Sequence, residues 1–191
     1  MFRDLVIANR SYRGYDESYR FTKEQLMAYV DLTRYTASSV NAQPLKYYIA
    51  WEKDKVDQIQ AMTKWGRALP QLTLPHPGMC PTAFIVICED LSIGPNPDRY
   101  QKDVGIVAQT ILLAAAEQGL GGCMIGNFQP EQVRCELGLA DNLRVMLIVA
   151  LGKPAEKIVL TEVGEDGSIK YYRDENDVHY VPKRKLEDIL L

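Results

Sequence analysis

A layered α+β domain, with sheet and helices stacked on one another, is the architecture this sequence predicts, and three observations predict it. Ala83–Cys88 is a continuous apolar run of strand length that suits a strand covered on both faces, and Val145–Leu151 is the most strand-like run in the chain. A helical stretch from Asp103 to Gln118 is apolar nearly all round its wheel. Between and around these, strand-like runs mix with helices of unequal length.

Taken in order, residues 2 to 8 read as a short helix. A second helix begins at Thr22, where Thr22-Lys23-Glu24-Gln25 fits a capping box, and its periodicity through Leu26, Tyr29, Val30 and Leu32 runs to about Tyr35. Tyr47–Trp51 follows Pro44 and is rich in aromatic and β-favouring residues, which makes it a strand. A polar, helix-favouring run covers Lys53 to Leu69. Pro70, Pro75, Pro77 and Pro81 each fix φ and lack a donor, so 70–81 reads as a loop.

The helix from Asp103, roughly 24 Å long at 1.5 Å per residue, needs burial on most faces, in a layer between others or against a second subunit. Gly119-Leu120-Gly121-Gly122 stops it, and Cys123–Ile125 emerges as a short strand. Pro130 opens a helix to about Leu137. Beyond the Val145 strand and Gly152-Lys153-Pro154, the Asp166-Gly167 turn separates Ile158–Leu160 from Ile169–Tyr172, giving a hairpin or a pair of extended arms.

Composition bounds the function. The chain has 191 residues, enough for one domain over 1–191 that buries roughly 70% of its unfolded surface. A formal net charge of -3 lacks the basic surplus of a nucleic-acid binder. Four cysteines without a C-x-x-C pair, and two histidines, make no zinc constellation, so the cysteines read as reduced core residues. The N-terminal run reaches Arg10 too soon for a signal peptide, and no apolar run approaches the ~20 residues of a membrane span. A cytoplasmic protein with neither nucleic-acid nor membrane partner is expected.

Two stretches carry chemistry. Asn9-Arg10-Ser11-Tyr12-Arg13 offers two guanidinium groups and a hydroxyl, the set that best holds a phosphate dianion, although a solvated basic turn has the same composition. Ser38, Ser39, Asn41 and Gln43, closed by Pro44, form either an ordinary polar loop or a hydrogen-bonding edge for a planar heterocycle. Lys183-Arg184-Lys185 is a solvated tail or a basic arm folded back on a phosphate. The glycines at 119–126 follow a helix and precede a strand, the reverse of a dinucleotide fingerprint. His76 and His179 stand apart from any nucleophile and receive no catalytic role. Tyr171, Tyr172 and Tyr180 read as packing residues.

These pieces together resemble the FMN-dependent nitroreductase family, in a minimal-length member. Asn9–Arg13 is similar to the family's Arg-Arg-Ser-x-Arg. Ala37–Leu45 is similar to Pro-Ser-Ser-x-Asn-x-Gln-Pro-Trp. Asp103–Gln109 through Gly119–Gly126 resembles the central interface helix and its strand, and Val149–Pro154 and Val181–Arg184 complete five motifs in order. Asn9, Ala37 and Leu45 depart from the pattern.

The resemblance implies an interlocked homodimer, with an arm from about 164 to 191 reaching across it. It implies FMN held at the phosphate and ribityl chain by Arg10, Ser11 and Arg13, with Lys183 or Arg184 closing on the phosphate. Ser38, Ser39, Asn41 and Gln43 would line the flavin, in part from the partner subunit, and Gly126 and Asn127 match the position facing flavin N5. The implied activity is ping-pong reduction of nitroaromatics, quinones or similar small electron-poor substrates by NAD(P)H, the flavin carrying the electrons, so no catalytic side chain is expected. A flavin-binding module or regulator with little turnover is the alternative. A specialised reductive dehalogenase or flavin-cleaving member ranks third, because the 70–81 loop leaves little room for a large lid.

Overall fold

The computed structural model describes residues 1–93 and 99–191. In chain order the elements are α1 (Phe2–Ala8), β1 (Tyr15–Asp16), α2 (Lys23–Thr33), a 3-10 turn (Ser39–Asn41), β2 (Leu45–Ala50), α3 (Lys53–Met62), β3 (Ala83–Asp90), α4 (Gln101–Glu117), β4 (Gly121–Ile125), α5 (Pro130–Glu136), β5 (Leu143–Pro154), β6 (Ile158–Glu162), β7 (Tyr172–Arg173) and β8 (His179–Lys183).

The expected α+β layering is present. The main sheet is antiparallel: β3 lies between β2 and β5, and the far side of β5 takes β4 and then β1. Pleating of β3 divides the core into two layers. Ile85 and Ile87 face Leu26 and Tyr29 of α2 and Val107 and Ile111 of α4, whereas Phe84, Val86 and Cys88 face Val56 and Ile59 of α3 and Val133 of α5. Helices on both faces explain why β3 is buried at every position.

Local chemistry sets several ends. Gln25 N–H donates to Thr22 Oγ1 at 3.3 Å and Thr22 N–H to Gln25 Oε1 at 3.0 Å, so the capping box forms. Gly119, at φ +71°, ends α4 in a Schellman arrangement with Leu120 N–H on Ala115 O at 2.9 Å. Asp90, buried where β2, β3 and β5 meet, ties them through Lys46 Nζ at 2.6 Å and Asn142 Nδ2 at 2.8 Å. Those bonds hold its carboxyl well below the usual carboxylate range.

Several expectations are corrected. The helix expected over 53–69 stops at Met62: Thr63 turns extended, and Lys64 N–H leaves to bond Asn127 O at 2.9 Å. Of the two arrangements expected around Asp166-Gly167, the turn forms and the hairpin does not, since its flanks do not pair with each other. Instead β6 pairs in parallel with β8, and β7 pairs antiparallel with β8 across a turn at Asp174–Asp177, giving a small second sheet. The long separation between β6 and β8 places that pairing outside what adjacent residues encode. Among the cysteines only Cys88 and Cys123 are buried; Cys80 is half-buried and Cys135 exposed, all four free.

Candidate functional site

The segment 9–13 lies against β4. Ser11 bridges to Gly122, and Tyr12 N–H donates to Gly122 O at 3.0 Å. That approach needs glycine: a Cβ at Gly121 would stand 2.5 Å from the Tyr12 ring, and one at Gly122 would stand 2.1 Å from Ala150 O. The Gly121-Gly122 pair therefore seats the basic segment as well as following the helix.

From the other end of the chain, β8 completes the enclosure. His179, Val181 and Lys183 line the same cavity as Arg10, Ser11 and Arg13, a volume of about 380 Å³ that α4 closes with Gln109 and Leu112. Strand alternation puts residues 179, 181 and 183 on one face, so that of two exposed side chains Lys183 lines the cavity and Arg184 does not. The volume falls in the range of small-molecule sites, about 300–1,000 Å³.

The cavity's electrostatics are lopsided. Arg10 donates to Val6 O at 2.7 Å and Arg13 to Ser11 O at 3.2 Å, both backbone acceptors, and the Arg13 guanidinium sits 5.1 Å from the centre of the Tyr171 ring. Glu156 accepts from the Arg13 backbone N–H and pairs with Arg173, not with the Arg13 side chain. Arg10 Nε and both His179 ring nitrogens are buried without a hydrogen-bonding partner among the described residues. Burial first, and then the Arg13 and Arg173 charges, push the His179 pKa down to about 4, so the imidazole is neutral near pH 7. Uncompensated cations beside orphaned donors are what an anionic ligand satisfies. Cys123, behind Ser11, has its thiol pushed up by burial and belongs to the core.

The polar loop is built differently. Ser38 Oγ donates to Asp103 Oδ2 at 2.6 Å and accepts from Gln43 N–H at 3.0 Å, while Ser39 N–H reaches the same carboxylate at 3.0 Å. Val40, Asn41 and Gln43 all have φ near +50° (49°, 55° and 50°), and the Asn41 and Gln43 side chains are exposed and bonded to each other at 3.1 Å. This loop borders a second, smaller cavity of about 150 Å³ with Arg34 and Tyr47.

Within one chain the two groups do not share a cavity. They flank α4, Asp103 in its first turn carrying the loop and Gln109, about 9 Å further along the helix, lining the cationic cavity. Gly126 and Asn127 follow β4 and are exposed; they are not among the cavity's lining residues, although Met124 of the same strand is. The sequence did not place His179 and Tyr171 at the cavity wall or Asp103 behind the loop. The period-two placement of His179 and Lys183 was a usable signal for the first, and the burial of Asp103 left none. Among the described residues no cluster could hold a metal ion, and no helix is long and apolar enough to cross a membrane.

What the fold and cavity define is an α+β domain with a cationic cavity of small-molecule size, lined from both ends of the chain. The profile of the Nitroreductase family matches residues 7–153. The chain belongs to that family. It is 26% identical over 181 residues to the oxygen-insensitive NADPH nitroreductase of Helicobacter pylori, covering 79% of this chain and 86% of that protein. Among solved structures, a nitroreductase family protein from Streptococcus pneumoniae superposes with a TM-score of 0.69 at 15% identity, covering 100% of this chain and 99% of that one. An FMN-dependent nitroreductase from Clostridium difficile superposes with a TM-score of 0.64 at 22% identity over 80% of this chain and 87% of its own.

Proposed function

We propose that this protein is an FMN-dependent oxidoreductase that takes reducing equivalents from NAD(P)H and delivers them to nitroaromatics, quinones or related electron-poor molecules. The observation that carries it is the convergence of Arg10, Ser11, Arg13 and Lys183 on one cavity whose buried donors lack partners. Those residues fit the phosphate end of FMN: two guanidinium forks and an ammonium balance a dianion, and the Ser11 hydroxyl adds a bond to the phosphate or ribityl chain. Bound FMN supplies the hydride-accepting ring. The chain's part is to hold, orient and shield.

Ser39, Asn41 and Gln43 offer hydroxyl and amide groups to the ring's polar edge, Asn41 and Gln43 from the exposed side of a loop that Ser38 holds from behind through Asp103 and Gln43 N–H. Gly126 and Asn127 offer peptide N–H groups after β4. Because this second set lies across α4 from the cationic cavity, the complete site is assigned to a homodimer in which one chain's loop serves the flavin of the other. Exposed apolar surface supports that assembly: α1 has no buried residue, Phe2 is 71% exposed, and Ile106 of α4 is 40% exposed. Of the segment from about 164 to 191, β8 lines its own chain's cavity, and the end beyond it, with exposed Leu186, Ile189 and Leu190, is assigned as the arm of that dimer.

The test is an absorbance spectrum of purified protein with FMN, before and after anaerobic addition of NADH or NADPH. Loss of the flavin band within seconds is expected. A protein that binds no FMN at micromolar concentration contradicts the proposal, and one that binds FMN but is not bleached is the inert binding module.

A further inference from the structure

We propose that Asp103 is a positioning residue of this site: from the first turn of α4 it fixes the 38–43 loop in the shape that meets the flavin, and its charge disfavours reduction of the bound ring. The role rests on the FMN reading above.

Asp103 is 3% exposed and collects three hydrogen bonds to its two oxygens from Ser38 Oγ and Ser39 N–H. None of the ion pairs among the described residues includes it, and its neighbour across the smaller cavity, Arg34, pairs with Asp31 instead. The carboxylate is therefore held by hydrogen bonds at the N-terminal end of α4, in a buried setting that screens charge poorly.

The loop it holds is not relaxed. Val40, a β-branched residue, takes φ +49°, and Asn41 and Gln43 take +55° and +50°. Such conformations persist only where surroundings over-determine them, and they gather at ligand clamps. Asp103 supplies that constraint from behind: it fixes Ser38, whose hydroxyl then fixes Gln43 N–H, while the Asn41 and Gln43 amides stay exposed in front.

Two variants separate anchoring from charge. Asp103→Asn keeps the size and one acceptor but removes the charge; Ser38→Ala cuts the relay to Gln43 and leaves the charge. FMN affinity is read by quenching of flavin fluorescence, the midpoint potential by equilibration with a reference dye, and folding by thermal melting. D103N is expected to weaken oxidised FMN about tenfold and to favour reduced over oxidised FMN about threefold, a positive shift of about 15 mV at roughly 30 mV per factor of ten. S38A is expected to weaken FMN about threefold with the potential unmoved.

A D103N protein that melts like wild type, with unchanged affinity or an unmoved potential, overturns the inference. If D103N does not fold, S38A decides, and unchanged affinity in S38A overturns it. Wild-type protein that takes up no FMN overturns the parent reading instead.

Discussion

The cationic cavity and the 38–43 loop are both polar, yet they are built in opposite ways. The cavity is assembled from residues 10–13 and 171–183, sequence-distant segments brought together by β4 and the small second sheet, and it leaves Arg10 Nε and His179 unpartnered. The loop is contiguous, and its inward-facing groups are satisfied by Asp103, Ser38 and Gln43. Unmet hydrogen-bonding capacity marks where a ligand supplies binding energy; satisfied, strained backbone marks where the protein prepares a shape.

On that contrast, the largest effects belong to the cavity. Arg10→Ala with Arg13→Ala removes two charge-assisted anchors, each of about 1.5–3 kcal/mol, so FMN affinity measured by calorimetry should fall at least about 100-fold while the fold persists in circular dichroism. Gly122→Ala breaks the scaffold rather than the anchors. Its Cβ would stand 2.1 Å from Ala150 O, and overpacking at the upper end of the usual range predicts a loss of about 3 kcal/mol in urea unfolding. Lys183→Ala should weaken FMN about tenfold, the size of one such charged bond, whereas Arg184→Ala should change it less than twofold. Equal effects at 183 and 184 would mean that β8 alternation does not select the anchor.

The smallest effect concerns His179 in ligand-free protein. Its pKa is depressed from 6.5 to about 4 in the folded state, so below about pH 6.5 the unfolded chain binds a proton that the folded chain refuses. Stability contributed by this group is therefore present above pH 6.5 and is lost as pH falls from there toward 4. His179→Leu should flatten that part of the profile in urea midpoints measured between pH 7.5 and 4.5. A slope unchanged by the substitution would remove His179 from the cavity's electrostatics.

Much of this was legible where the chain signals locally. Thr22 with Gln25, Pro130 and Gly119 mark helix ends by bonds that close within a few residues, and the Ala83–Cys88 run announces a strand covered twice because each of its faces meets helices. What was not legible depends on distance. The β6–β8 pairing joins residues about twenty apart through a parallel register that adjacent residues do not encode, and the actual turn at Asp174–Asp177 carries only a common polar composition. Helix α3 ends because Lys64 finds a partner in Asn127, more than sixty residues on. Arg10, Ser11 and Arg13 stood out by type and spacing. Asp103 did not, because an acidic first-turn residue is expected at any helix N-terminus and only its burial against Ser38 sets it apart.

The central claim, that cations from both ends of the chain converge on a single dianionic group, is tested most directly by comparing FMN with riboflavin, which differs only in lacking the phosphate. Wild-type protein should bind FMN at least about 100-fold more tightly than riboflavin, and the Arg10→Ala, Arg13→Ala double variant should bind the two with nearly equal affinity, since each guanidinium–phosphate bond is worth about 1.5–3 kcal/mol. Riboflavin bound as tightly as FMN by the wild type, or a preference for FMN that survives in the double variant, would contradict it.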